Sequence, residues 1–119
     1  MDKEKIVEQY IKSGEIMYET TMNGNYRKGN REGKKLNKLF KKIAEDKELA
    51  KEIYYELFES KNPELLITVA AECLILEINE EKAIEILNNI MNNPEKYKIF
   101  SLNAEMTLKV WKEGKLKMY

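Results

Sequence analysis

Ala71-Glu72-Cys73-Leu74 returns 33 residues later as Ala104-Glu105-Met106-Thr107, and the correspondence runs through both flanks. At the same offset Ala50 meets Ala83, Ile53 meets Ile86, Leu57 meets Ile90, Leu66 meets Ile99, Val69 meets Leu102 and Ile75 meets Leu108. Apolar falls on apolar at helical spacing in both halves of the unit. A period in the thirties marks stacked helical repeats, in which a helix pair cannot bury its apolar face alone. The expected fold is all-α: a short HEAT-like α-solenoid of about six helices in three antiparallel pairs. Scaffolds of this kind present surfaces to other macromolecules.

Asparagine, proline and glycine place the boundaries. Helices are expected at about residues 2–22, 25–44, 47–59, 63–78, 80–92 and 95–113, in one domain of 119 residues. Gly24 can close the first helix in the left-handed conformation, Asn25 can cap the second, and Asn62-Pro63 suits the start of the fourth. Asn79 reads as the cap of the fifth. Gly14 suggests a break or kink in the first helix. The run Leu65–Leu76 is the most apolar and should be the central helix. Tyr54 should face inward and Tyr55 outward. In the last helix Tyr97, Phe100, Leu102, Ala104, Met106, Val110 and Trp111 are the expected core contacts, while Ile11 and Tyr26 join the apolar sets of the first two.

Much chemistry is excluded by composition. The chain has no histidine and a single cysteine, Cys73. The commonest general base, the commonest metal ligand and every Ser-His or Cys-His pair are missing, and no intramolecular disulfide can form. Cys73 reads as a buried structural thiol. No catalytic residue, cofactor or metal site is expected, and the chain does not read as an enzyme. No apolar run approaches the roughly 18 residues of a membrane span. The N-terminus leads into an amphipathic helix rather than the apolar core of a signal peptide, so a cytoplasmic protein is expected. The Lys, Ile and Asn bias points to an AT-rich bacterial genome.

The formal charge is zero, but its distribution is not even. Residues 25–44 carry eight basic and one acidic side chains, residues 45–95 four and thirteen, and residues 96–119 six and two. Local fields steer partners more than the total does. Lys34, Lys35, Lys38, Lys41 and Lys42 form a stripe that could contact phosphates, or a solvated helix face. Glu45, Asp46, Glu48, Glu52, Glu56, Glu59 and Glu64 could dock a basic protein, or form another solvated face. Separately, Tyr55 could be an exposed anchor for a partner. In solenoids the second helix of each pair lines the working side. That puts a polar ledge at Glu64, Thr68, Glu72 and Asn79, continued by Lys98, Ser101, Glu105 and Lys112 and by Arg31, Lys35 and Lys42. The partner-binding candidates are Glu64, Thr68, Glu72, Ser101, Glu105, Arg31, Lys35 and Tyr55.

Three segments carry a resemblance: Gly24-Asn25-Tyr26-Arg27-Lys28-Gly29-Asn30, Val69-Ala70-Ala71-Glu72-Cys73-Leu74, and Asn103-Ala104-Glu105-Met106-Thr107-Leu108-Lys109-Val110-Trp111-Lys112-Glu113-Gly114. Together they resemble a family of short bacterial all-helical, HEAT-like proteins of unknown function. Members of that family are often encoded beside bacterial toxins. The resemblance implies an immunity or antitoxin role, in which the protein occludes a cognate toxin by shape and charge. It supplies no active site. Thr68 stands where HEAT-type repeats often carry arginine. Asn30 is expected to anchor one helix to another. Nucleic-acid binding through residues 25–44 is the alternative. A homodimer through Trp111 and the Leu116–Met118–Tyr119 tail is a further expectation.

Overall fold

A computed structural model describes residues 2–117, and among them the protein is helical throughout with no strand. Helix α1 spans Lys3–Asn23 and opens on Asp2, whose carboxylate accepts the backbone N–H groups of Glu4 and Lys5. It ends at Gly24, where φ is 78° and the glycine N–H donates to the Thr20 carbonyl. Gly14 breaks nothing. It is buried inside the continuous helix, and a Cβ built there would lie 3.0 Å from Cβ of Leu65. Its missing side chain lets two helices approach closely.

Helix α2, Tyr26–Ile43, is capped by Asn25, which accepts from Lys28 N–H. Its buried residues Glu32, Leu36, Phe40 and Ile43 form one narrow stripe, and the lysines lie outside it. Helix α3, Lys47–Leu57, is capped by Asp46 and buries Ala50, Ile53, Tyr54 and Leu57. Helix α4, Pro63–Leu76, starts with Asn62 as cap and proline in the first turn. It is the centre of the molecule, packing against α1 and α3 and against two later helices, α5 (Glu80–Met91) and α7 (Ile99–Lys112). Helix α1 also packs on α2 and α3, and α5 on both α4 and α7.

The turn between α4 and α5 is strained. Glu77 and Asn79 hold left-handed backbone at φ 58° and 48°. Asn79 does not cap α5 with its side chain as expected; its amide donates instead to the Lys51 carbonyl on α3.

The single helix expected at 95–113 is two. A one-turn helix α6, Pro94–Tyr97, ends at Lys98, where φ 54° and ψ −126° stop the spiral before α7 begins. The second repeat has also lost two residues before this break: six positions separate Leu57 from Pro63, and four separate Ile90 from Pro94. Helices α3 and α5 bury matched positions at the 33-residue offset: Ala50 and Ala83, Tyr54 and Leu87, Leu57 and Ile90. Helices α4 and α7 do not. Glu72 is buried but Glu105 is exposed, and Cys73 is enclosed while Met106 is 58% exposed. Burial matches instead two residues to either side: at 31, Val69 with Phe100, Ala70 with Ser101, Cys73 with Ala104 and the prolines Pro63 and Pro94, and at 35, Leu65 with Phe100, Leu66 with Ser101, Val69 with Ala104 and Cys73 with Leu108. Two residues turn a helix by about 200°, which carries a core position to the surface. Leu102 and Met106, expected in the core, therefore stand outside with Ile99, and Ser101 and Leu108 take their places within. Ile11 and Tyr26 are exposed as well, and Asn30 stands in solvent rather than anchoring two helices. Trp111 and Leu116 are half-buried against the core; Met118 and Tyr119 of the expected dimer tail lie outside the described residues.

Candidate functional site

Helix α4 is packed on most sides and leaves only a half-buried strip at Glu64, Ile67, Thr68, Ala71 and Ile75, and this decides the fate of the expected ledge. Glu72 points into the core. Its Oε1 accepts the hydroxyl of Tyr10 on α1 at 2.6 Å and that of Tyr54 on α3 at 3.0 Å. The two rings meet edge to face, 6.2 Å apart at 82°. Both tyrosines are fully buried, so three helices are tied at one oxygen. Removal from water pushes the Glu72 pKa up to about 8, against the downward pull of the two hydroxyls. Burial, reinforced by that carboxylate, raises both tyrosine pKa values far above the ordinary phenol. The same two causes raise the Cys73 thiol, which stays protonated and inert.

A second buried carboxylate was not visible in the sequence. Glu32 on α2 accepts from the Ser13 hydroxyl at 2.9 Å and from Lys35 Nζ at 3.0 Å, and Ser13 in turn accepts from the Gln9 amide. Burial works to raise the Glu32 pKa, but the Lys35 ammonium and the Ser13 hydroxyl outweigh it and the net is a lowering. Lys35, a ledge candidate, is thus engaged within the fold although its side chain is 61% exposed.

The other candidates scatter. Ser101 is buried and donates to the Lys98 carbonyl across the α6–α7 break, so it lines no surface. Glu64 is half-buried beside the Thr21 hydroxyl, and burial raises its pKa. Thr68 turns its hydroxyl back to the Glu64 carbonyl. It shares the wall of a shallow groove of about 290 Å³ with Asn37, Thr107 and Leu116, under which Glu72 lies. Glu105 and Arg31 are exposed on separate helices, α7 and α2. No continuous ledge joins them. Among the described residues no cluster of carboxylates or thiols is arranged to hold a metal ion.

Two separate expectations, the acidic set and the outward Tyr55, fall on one face. Along α3 and the turn that follows it, the spacing four, three, four sets Glu48, Glu52, Tyr55 and Glu59 on one exposed stripe. Tyr55 is 64% exposed, its ring tilted against Phe58 at 6.4 Å. Glu56 beside it reaches Lys3 at 3.5 Å and Glu48 reaches Lys51 at 3.4 Å, while Glu52 and Glu59 form no ion pair among the described residues. The neighbouring residue Tyr54 holds this helix to Glu72 from inside. The face is therefore a fixed row of carboxylates around an aromatic ring. A second exposed strip, Ile99, Leu102 and Met106 on α7, does not follow from the 33-residue match, because the burial of α7 is two residues out of step with it.

Comparison with protein-family models, with curated proteins and with solved structures finds no match to the chain. No helix among the described residues is long and apolar enough to cross a membrane.

Proposed function

We propose that this protein is an immunity- or antitoxin-type module that binds a cognate bacterial toxin in the cytoplasm and occludes it. The observation that carries the reading is the α3 face: an exposed tyrosine within a row of glutamates, held rigid from behind by a buried hydrogen bond. Exposed aromatics are favoured anchors in protein interfaces, and a row of carboxylates steers a basic partner toward them. The active surfaces of nucleases are basic, so such a toxin would be the complementary target. The fold is best read as a short helical-repeat scaffold, with α3–α4 and α5–α7 as two copies of one hairpin whose second helices differ in phase. The α7 strip would extend the contact, since contiguous exposed apolar side chains mark interaction surfaces.

The test is co-expression with the product of the adjacent gene and capture of the pair. Retention by the native chain, with loss in Tyr55→Ala and in Glu52→Lys combined with Glu59→Lys, supports the reading. A non-toxic neighbour with no complex sinks it. The second reading, a nucleic-acid-binding module, rests on α2, where Lys34, Lys35, Lys38, Lys41 and Lys42 are all exposed and only Lys35 is paired among the described residues. A gel shift that fades with salt and with loss of these lysines would favour it.

A further inference from the structure

Lys61, in the turn between α3 and α4, is shared by three neighbouring recesses. The first, about 560 Å³, is floored by Leu66, Ile86 and Ile90 and flanked by Phe58 and Tyr97. Lys61, Lys82 and Lys96 stand around it. The second, about 220 Å³, opens between α1 and the α6–α7 junction and is ringed by Lys61, Lys96 and Lys98. The third, about 450 Å³, continues along α1 past Glu15 and Glu19. Four ammonium groups from three separate segments thus converge on one locality. Residues 45–95 carry only four lysines against thirteen acidic side chains, and two of those four are here. Lys82 is paired with Glu85 at 3.5 Å. Lys61, Lys96 and Lys98 form no ion pair among the described residues.

The walls are aromatic. Tyr18, half-exposed, covers the buried Phe100 at 5.1 Å and 15° beside the second recess, and Lys96 Nζ lies 5.1 Å from the centre of the Tyr97 ring. Lys98 adds a third observation. Its backbone occupies a region that residues with a side chain avoid, and strain of this sort is kept where the local geometry has a use. Here it ends α6 beside the recess that the Lys98 side chain lines.

We propose that the first two recesses, which share Lys61, Lys96 and Tyr97, together bind a nucleotide, with phosphate oxygens on Lys61, Lys96 and Lys98 in the second and the base in the first against Phe58 and Tyr97. A single carboxylate would leave most of the positive charge uncompensated, whereas a polyphosphate or a run of phosphodiesters engages several lysines together. Flat aromatic faces stack any base without selecting among them. The larger recess lies within the size range of small-molecule sites. The nucleotide can be free or the end of a single strand, because both offer the same groups. The site adjoins the α3 stripe at Phe58, which packs on Tyr55, but shares none of its glutamates and none of the α2 lysines, so substitutions at Lys61 and Lys96 test it separately from the function proposed above.

The experiment is titration of the full chain at low salt with ATP, by calorimetry, and with a labelled single-stranded oligonucleotide, by anisotropy. Binding of either probe, weakened about 10-fold or more by Lys61→Gln with Lys96→Gln and unchanged by Lys34→Gln with Lys38→Gln, supports the proposal. Tight binding of ATP identifies a free nucleotide; binding of the oligonucleotide alone identifies a strand. Circular dichroism and Tm equal to the native chain establish that the variants are folded. Failure of both probes to bind at concentrations up to about 1 mM overturns the proposal, as does binding that survives the Lys61/Lys96 pair and disappears with the α2 pair.

Discussion

Glu72 is the residue on which most of the core converges. A helix wheel places it opposite the apolar positions of α4, and that arithmetic assumes a helix with one wet side. Helix α4 is packed by α1, α3, α5 and α7, and its one half-open strip runs through Thr68, Ala71 and Ile75 with Glu72 just inside it. What sequence did offer was an isolated acid in the run Leu65–Leu76. Its partners, Tyr10 and Tyr54, are 62 and 18 residues away and share no motif with it. The consequences are measurable. Unfolded, the carboxyl titrates near the ordinary value of about 4.3; folded, it titrates near 8. Between these values the folded state holds the extra proton. The stability Glu72 contributes is thus complete in acid and is lost as pH rises through about 8. Glu72→Gln keeps an acceptor for both hydroxyls and removes the titration. Its Tm should match the native chain near about pH 4, below the unfolded value. Near pH 9 it should exceed the native Tm by several degrees, equivalent to at least ~1 kcal/mol. Equal Tm values at both pH values would contradict the assignment. Glu72→Leu leaves two buried hydroxyls without an acceptor, at about 1–3 kcal/mol each, and should be destabilised at every pH. Glu32, whose pKa is lowered, has the opposite dependence, so only the difference between the native chain and the Glu72→Gln variant isolates the effect.

Single glycines and breaks control how the elements meet. The caps Asn25 and Asn62, the stop at Gly24 and the inward Tyr54 were readable because each depends on a few adjacent residues. Gly14 was misread because its reason lies 51 residues away, at Leu65. Gly14→Ala gains about 1 kcal/mol of helix propensity but puts a methyl 3.0 Å from Cβ and 3.1 Å from Cδ1 of Leu65. Neither Cβ can rotate away, and forcing the helices apart costs about 1–3 kcal/mol. A net loss is expected in chemical denaturation. The loss should shrink in a Leu65→Ala background, which removes two of the three close atoms. An additive double mutant would show that α1 and α4 are not in this contact. The second element-scale error is the helix break. The Pro94 start and the 33-residue match cannot both be kept, since Pro94 aligns with Pro63 only at 31; the two residues are lost between Ile90 and Pro94, ahead of Lys98. Lys98→Gly relieves a strain of about 1–3 kcal/mol against about 1 kcal/mol of added chain entropy. A modest rise in Tm is expected, and a fall would mean that the lysine side chain supports the junction.

At the scale of the molecule the all-helical class was legible, because apolar spacing and punctuation agree along the whole chain. The proposed contact surface was legible only in part. Tyr55 and its glutamates could be found because α3 is packed on one side and its outward stripe follows from that side alone. The ledge across α2, α4 and α7 could not, because it required relative rotations that only packing sets. This difference shapes the last prediction. If the α3 face meets a basic partner, its two components act on different rates. Glu52 and Glu59 are exposed and form no ion pair within the described residues, so their charge is spent on long-range attraction, which salt screens over about 10 Å. Replacing both with lysine should slow association by about 10-fold or more at low salt and flatten its salt dependence, with little change in dissociation. Tyr55 instead makes contact only after encounter, so Tyr55→Ala should speed dissociation and leave association nearly unchanged. Surface plasmon resonance of both variants over a salt series separates the two effects. Neither substitution touches the core, so thermal unfolding should move little. If both variants lost affinity through the same rate, with the same salt slope, the face would be acting as one undivided patch and the steering role given to the glutamates would be wrong.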